Sequence, residues 1–394
     1  MGPAHPPSSA WSAALSTAEP VPVAETAPDA APPDASGRRL VSLDAFRGLT
    51  IAGMILVNNP GSWAHVYPPL RHAEWHGWTP TDLIFPYFLF IMGVAVPFSF
   101  AKRLARGDDR GALFGHVVKR GAILVFLGLA MRAVPDFDLL TMRYYGVLQR
   151  IGLVYVAAGG LYLAFGVRAR AGWTAALLGG YWLLLTRVPV PGYGAGDLSP
   201  EGNLASWLDR LLLDGHLWQG TWDPEGLLST LPAVATCLLG IFTGEWLRAR
   251  GATLPMLAAG ALLTVAGLAW GLAFPINKNL WTSSYVLFTG GTALLLLAAF
   301  HWLVDVKGRR GPWLTPLVVY GMNAIAVFVA SGMLTKALIR IDVGESSLYG
   351  WIWRSGFASW AGETPGSLLF ALSYVAFWLL IMGELHRRRI FIKV

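Results

Sequence analysis

Three of the eight histidines, His65, His72 and His76, fall within twelve residues of one another. They lie in the stretch 58–93, NNPGSWAHVYPPLRHAEWHGWTPTDLIFPYFLFIMG. Histidine takes up and returns protons near neutral pH, so each is a candidate general acid or base. Asp82 follows in TPTDLIFP at the start of an apolar run. Its carboxylate suits the positive end of a helix, and it is equally suited to orient a histidine in the preceding loop. Asn58 and Asn59 carry amide donors that could polarise an acyl oxygen.

Other chemistries fit less well. His72 and His76 are four apart, but the intervening order is His-Ala-Glu-Trp-His. The zinc-protease pattern needs its glutamate directly after the first histidine. No cysteine or acidic cluster offers a third ligand, so no metal is expected. There is no G-x-S-x-G elbow, Walker loop or dinucleotide fingerprint.

The surrounding elements are membrane spans. The 394 residues are 55% apolar and 13% charged, with a mean hydropathy of +0.51. Soluble domains carry roughly 25% charged residues. Apolar runs long enough for a bilayer core of ~30 Å alternate with short polar loops. They lie at about 43–58, 83–101, 117–134, 146–165, 172–186, 229–247, 253–273, 284–303, 314–337 and 366–385. The expected fold is an all-α polytopic membrane protein of about ten helices.

Most of the 30 Lys and Arg fall on alternate connections and at both ends of the chain. By the positive-inside rule, both termini are expected in the cytoplasm, with the histidine loop on the outer face. Arg187–Leu228 and the connections 274–283 and 338–365 share that face. Together with the histidine loop they hold Trp75, Trp207, Trp218, Trp222 and Trp281 among others, either as an interfacial belt or as a platform for sugar rings. The net charge of +7 thus belongs to membrane loops, which argues against a nucleic-acid partner. Cys237, the single cysteine, rules out an intrachain disulfide and sits in an apolar run as a small packing residue.

Residues 1–37 are rich in Ala, Pro and Ser and contain no Lys or Arg. They are expected to form a disordered tail, leaving 38–394 as one transmembrane domain. Ionisable groups inside spans are functional candidates. Asp44 and Arg47 share a helical face at i and i+3, as a mutual pair or as a contact for an anionic ligand. Gln149, Arg150, Glu245 and Asn323 either bridge helices or meet substrate.

The runs SLDAFRGLTIAGMILVNNPG and RHAEWHGWTPTDLIFPYFLFIMG resemble the catalytic region of the heparan-α-glucosaminide N-acetyltransferase family. YGVLQRIGLVY, DPEGLLSTLPAVATCLLGIFTGEWL, INKNLWTSSYVLFTGGTALLLLA and YGMNAIAVFVASG extend the resemblance in order to about Ser331. It implies a transmembrane acetyl transfer from cytosolic acetyl-CoA to a glucosamine amine on the other side. The family's active histidine lies in His-Ala-x-Trp-x-Gly, here His72, Ala73, Trp75 and Gly77. Its functional asparagine follows the valine ending the first span, here Asn58 after Val57. This chain departs from the pattern in a longer intervening loop with Pro68 and Pro69, which makes Asn59 an alternative to Asn58.

No counterpart of the family's lumenal domain is expected ahead of the first span, and the expected acceptor is an amino sugar or related glycan rather than polymeric heparan. On this reading His72 is the base and Asn58 the oxyanion or orienting donor. Asp82, Asn59, Trp75, Asn279 and Trp281 are the supporting or substrate contacts. Arg47, Asp44 and Arg120 are the contacts for acetyl-CoA, the acyl donor. Direct transfer and a covalent acetyl-histidine step are both open, as is a homodimer. The bacterial inner membrane is the expected location, with the active loop in the periplasm. A sugar or small-solute permease, an O-acyltransferase of the same architecture and a structural membrane subunit are the alternatives.

Overall fold

The computed structural model describes residues 1–2, 40–249, 251 and 253–392. The rest of the expected tail, 3–37, lies outside the described residues, as do Arg38, Arg39, Arg250 and Lys393. Residues 40–394 form one compact unit.

That unit is an all-α membrane bundle. Its long helices are α1 Val41–Asn58, α2 Ile84–Ala105, α3 Arg110–Ala133, α4 Val147–Ala164 and α5 Val167–Arg187. The ten-residue α6 Leu204–Leu213 follows on a connection. Then come α7 Thr230–Ala249, α8 Thr253–Trp270 and α9 Ser283–Phe300. A broken pair, α10 Leu314–Met322 and α11 Ala324–Arg340, precedes the short α12 Leu348–Trp353 and α13 Ser359–Ala361. The bundle closes with α14 Glu363–Arg387. Two-residue antiparallel ribbons, Pro189–Val190 with Gly194–Ala195 and Asp342–Val343 with Ser346–Ser347, are the sheet among the described residues.

Eight of these helices are long and apolar enough to cross a membrane, and the α10–α11 pair raises the number to nine. The expected fifth span is α5, whose 21 residues are long enough. It falls below that apolarity, with Arg168, Arg170 and Arg187 along it.

The expected ninth span is not a single helix: its two halves meet at 83°. Asn323, at φ −124° and ψ 35°, leaves the helical region at the break. Its amide Nδ2 donates to Ile390 O at 3.2 Å, and its Oδ1 accepts from Ile392 N at 2.8 Å. One side chain thus supplies both donor and acceptor to the end of the chain, as an apolar medium requires of an interrupted helix.

Membrane helices lack a hydrophobic drive to associate and rely on close backbone approach. At the α2–α7 contact a Cβ on Gly93 would fall 2.1 Å from Cys237 O, and one on Gly240 the same distance from Phe90 O. Only glycine fits at these two positions. Cys237 is fully buried at this contact, as a packing residue should be.

The loop 59–83 and the segments 188–229 and 271–282 gather at one end of the bundle. There Gly77 N donates to Ile276 O at 2.8 Å, and Trp75 Nε1 donates to Leu198 O at 2.7 Å.

Candidate active site

The site is built on the short helical turn Pro80–Leu83, which leads into α2. Thr79 and Asp82 cap it reciprocally, so the Asp82 carboxylate is fixed by its own backbone. Oδ2 accepts from Thr79 N and Ala73 N, each at 3.0 Å, and from Thr79 Oγ1 at 3.2 Å. Oδ1 lies 2.6 Å from Nδ1 of His72. The carboxylate is 1% exposed and the imidazole 44%. A buried acceptor therefore holds a ring that reaches solvent. With Nδ1–H donating to Asp82, the ring presents Nε2 as an acceptor, the tautomer a general base requires. Tyr285 reinforces the turn by donating to Asp82 O at 2.5 Å.

The segment 274–282 adds a cation. Lys278 Nζ lies 3.0 Å from Nδ1 and 3.3 Å from Nε2 of His72, and 3.5 Å from Asp82 Oδ1. Its burial lowers the ammonium's pKa below the ordinary lysine value, against the pull of the Asp82 and Glu225 charges. The neighbouring Asn277 donates from Nδ2 to His76 Nδ1 at 3.2 Å. His76 is thus a link between the two loops, and burial lowers its pKa too. His65 is placed elsewhere, 3.2 Å from Glu363 and stacked on Trp353.

The remaining expected contacts separate. Trp75 packs edge-on to Trp222 with centroids 5.1 Å apart, next to the site loop. Asn58 ends α1 exposed, and its side chain has no hydrogen bond among the described residues. Asn279 lies half-buried in the segment that carries Lys278.

Two of the expected supporting residues are buried. Asn59 is buried, donating to Ile55 O at 2.7 Å and accepting from Thr335 Oγ1 at 2.6 Å. It ties α1 to α11 and is not available as a stand-in for Asn58. Trp281 is 1% exposed, with Nε1 donating to Thr236 at 3.0 Å and the Arg150 guanidinium 5.1 Å above its ring. It is part of the core and offers no surface to a sugar.

A buried ionic pillar supports this end. Arg143 grips Asp223 at 2.6 Å through both Nε and Nη2, and also pairs with Glu225. Arg150 donates to Gly226 O at 2.9 Å and to Ser229. Gln149 donates to Tyr144 O at 3.1 Å, and Glu245 pairs with Arg170 at 2.7 Å across α5 and α7. Arg150 and Glu245 thus bridge elements, while Gln149 bonds the segment leading into its own helix.

The basic end of the bundle opens into a cavity of about 480 Å³ lined by Arg47, Arg120, Tyr155, Ser99, Gly321 and Ile392 among others. Arg47 pairs with Asp44 at 3.1 Å, and Arg120 lies 3.4 Å from the Tyr155 hydroxyl. Arg47 and Arg120 thus line one cavity, and Asp44 is held beside it by its pair with Arg47. Along α2 the lining runs from Ser99 to Phe88. Phe88 is six residues beyond Asp82, about 9 Å at the helical rise. Among the described residues no group of three or more His, Cys, Asp or Glu is placed to hold a metal ion.

Residues 39–270 match the family model described as heparan-alpha-glucosaminide N-acetyltransferase, catalytic. The chain belongs to this family. It is 30% identical over 419 residues to the Homo sapiens protein named heparan-alpha-glucosaminide N-acetyltransferase, covering 90% of this chain and 60% of that one. The Mus musculus protein of the same name is 30% identical over 422 residues, covering 91% and 61%. The chain thus spans about 60% of the length of these curated relatives. The family match takes in His72, Asp82 and the Arg47–Arg120 cavity wall and ends before Lys278.

Lys278 and the Arg143–Asp223–Glu225 group are the residues sequence reasoning missed. One signal pointed to Lys278: it is a cation on a face that the positive-inside rule leaves poor in cations.

Proposed function

We propose that this chain is a membrane acetyltransferase that moves acetyl from acetyl-CoA to the amine of an amino sugar or glycan. The observation that carries the reading is the Asp82–His72 couple, which lies within the residues that match the family model and in the block where the resemblance implies the active histidine. The amine must lose a proton as it attacks the thioester carbonyl, and His72 Nε2 is the group to take it. Asp82 stabilises the imidazolium that results, because a buried carboxylate 2.6 Å from Nδ1 gains attraction as the ring charges. Asn58 has a free amide at the end of α1 and orients the acceptor.

The CoA phosphates are placed at Arg47 and Arg120 in the basic-end cavity, since guanidinium groups suit phosphate oxygens. Phosphates do not cross a bilayer unaided, so this end faces the cytoplasm and the His72 end the periplasm of a bacterial inner membrane. The basic connections support that orientation.

Mass spectrometry of products after incubating purified protein with acetyl-CoA and a panel of amino sugars tests the reading. An N-acetylated sugar that depends on both substrates supports it. Saturable sugar uptake into vesicles, with no acetylated product and no thermal shift by CoA, would transfer the case to a permease.

A further inference from the structure

Lys278 is the one cation that touches the catalytic couple among the described residues, and the reaction as outlined leaves it without a task. Its geometry narrows what it can do. Nδ1 of His72 donates to Asp82 at 2.6 Å and so cannot also accept from an ammonium. Nearly equidistant from the two ring nitrogens, at 3.0 and 3.3 Å, Nζ lies over the ring face and not on the in-plane lone pair of Nε2. The ammonium therefore stands beside the atom that must take the acceptor's proton and leaves its lone pair open. Its side chain is 15% exposed and lies 3.5 Å from the Asp82 carboxylate, which keeps it beside the couple when Nε2 is engaged elsewhere.

The segment that carries it is fixed to the histidine loop at two points, Gly77 N to Ile276 O and Asn277 to His76. Lys278 and His72 thus keep their spacing although they are 206 residues apart.

We propose that Lys278 is the donor that receives the reacting carbonyl oxygen. The proposal rests on the acetyl-transfer reading above. As the nucleophile attacks the thioester carbon, a C–N bond forms and the carbonyl electron pair moves onto oxygen. Where the acceptor amine attacks, its proton passes to Nε2. Where Nε2 itself attacks, no proton moves in that step. In both cases the oxyanion forms within reach of Nε2 and of the ammonium beside it. Lys278 donates a hydrogen bond to that oxyanion and keeps its proton. Collapse returns the pair to carbon, breaks the C–S bond and releases CoA thiolate. An ammonium whose pKa is lowered by burial is a stronger donor than an ordinary lysine, and a preorganised donor costs no rearrangement as charge develops.

The amides that sequence reasoning assigned to this role are less suited. Asn59 is committed to Ile55 and Thr335, and Asn58 makes no hydrogen bond to His72.

Steady-state kinetics on Lys278→Ala, Lys278→Arg and His72→Ala test the assignment. Lys278→Ala should lower kcat by about 10²–10³-fold, the usual loss for an oxyanion donor, with CoA binding at the far cavity unchanged. Added methylammonium should restore part of that kcat. Lys278→Arg should retain more activity, and the alkaline limb of its pH profile should move upward, since arginine does not lose its proton there. Wild-type activity with His72→Ala inactive and Lys278→Ala within about threefold of wild type would overturn the role of Lys278 alone. Full activity in His72→Ala would overturn the acetyl-transfer reading beneath it. If Lys278→Ala fails to fold, Lys278→Arg decides: an unmoved alkaline limb contradicts the proposal.

Discussion

Asp82 holds His72 through one carboxylate oxygen and holds its own turn through the other. The same side chain therefore sets the imidazole tautomer and the course of the loop that carries it. These functions can be separated by Asp82→Asn. The amide oxygen can still accept from Ala73 N and Thr79 N, while the NH2 group must face Nδ1 as a donor. That reverses the tautomer and places the proton on Nε2. We expect thermal stability to change little and kcat for acetyl transfer to fall by about 10⁴-fold, as in other carboxylate–histidine couples with the wrong tautomer. Melting curves beside steady-state assays check this, and a kcat near wild type would refute the tautomer argument.

The pillar beneath the site makes a stability prediction. Arg143 neutralises Asp223 and Glu225, whose side chains are almost fully buried. Arg143→Met leaves two buried carboxylates without the guanidinium that bridges them, although Asp223 keeps Trp218 N and Glu225 N as donors, and the loss is about 3–5 kcal/mol. The variant should melt well below wild type in the same detergent. Asp223→Asn in the Arg143→Met background should recover part of the loss. Absence of any melting shift would mean that the group is solvated.

Asp209, in α6 beside the pillar, gives stability a pH dependence of unusual sign. Burial pushes its carboxyl up to about 6, above the unfolded value near 3.8. The folded state then holds this proton more tightly than the unfolded state. Its contribution is most favourable below about pH 4 and declines as pH rises to about 6. The shift corresponds to about 3 kcal/mol. Asp209→Asn, which keeps an acceptor for Leu227 N, should therefore gain on wild type as pH rises from 4 to 7. Paired melting curves across that range read the effect, and parallel curves would contradict it.

The donor cavity can be tested by binding alone. Arg47→Ala and Arg120→Ala should each weaken CoA binding about 10- to 100-fold, the worth of a charge-assisted hydrogen bond. Pantetheine, which lacks the phosphates, should bind all forms alike. Calorimetry with both ligands separates loss of phosphate recognition from general damage to the cavity. Equal weakening of both ligands would place the phosphates elsewhere.

Much of this was legible before any coordinates, because a bilayer imposes a strong code. Runs such as 229–247 must be helical to satisfy their backbone, and so they are. The α5 helix is weaker because three arginines dilute its apolar character, and the α10–α11 break at Asn323 hides inside one long apolar run. His72 and Asp82 could be linked because they are ten residues apart. Arg47 and Arg120 could be grouped by charge alone. Lys278 could not be joined to His72, since their contact spans 206 residues and no local periodicity encodes it. The burial of Asn59 and Trp281 is hidden for a related reason. At a span end, a side chain committed to a neighbouring helix carries the same letter as one facing a substrate.

The central claim is that His72 drives acetyl transfer between the two ends of this bundle. Proteoliposomes with labelled acetyl-CoA at the basic end and glucosamine at the histidine end test it most directly. The account predicts labelled N-acetylglucosamine with wild type and less than about 1% of that rate with His72→Ala, an effect within the range for loss of a general base. Equal rates from the two proteins would contradict it.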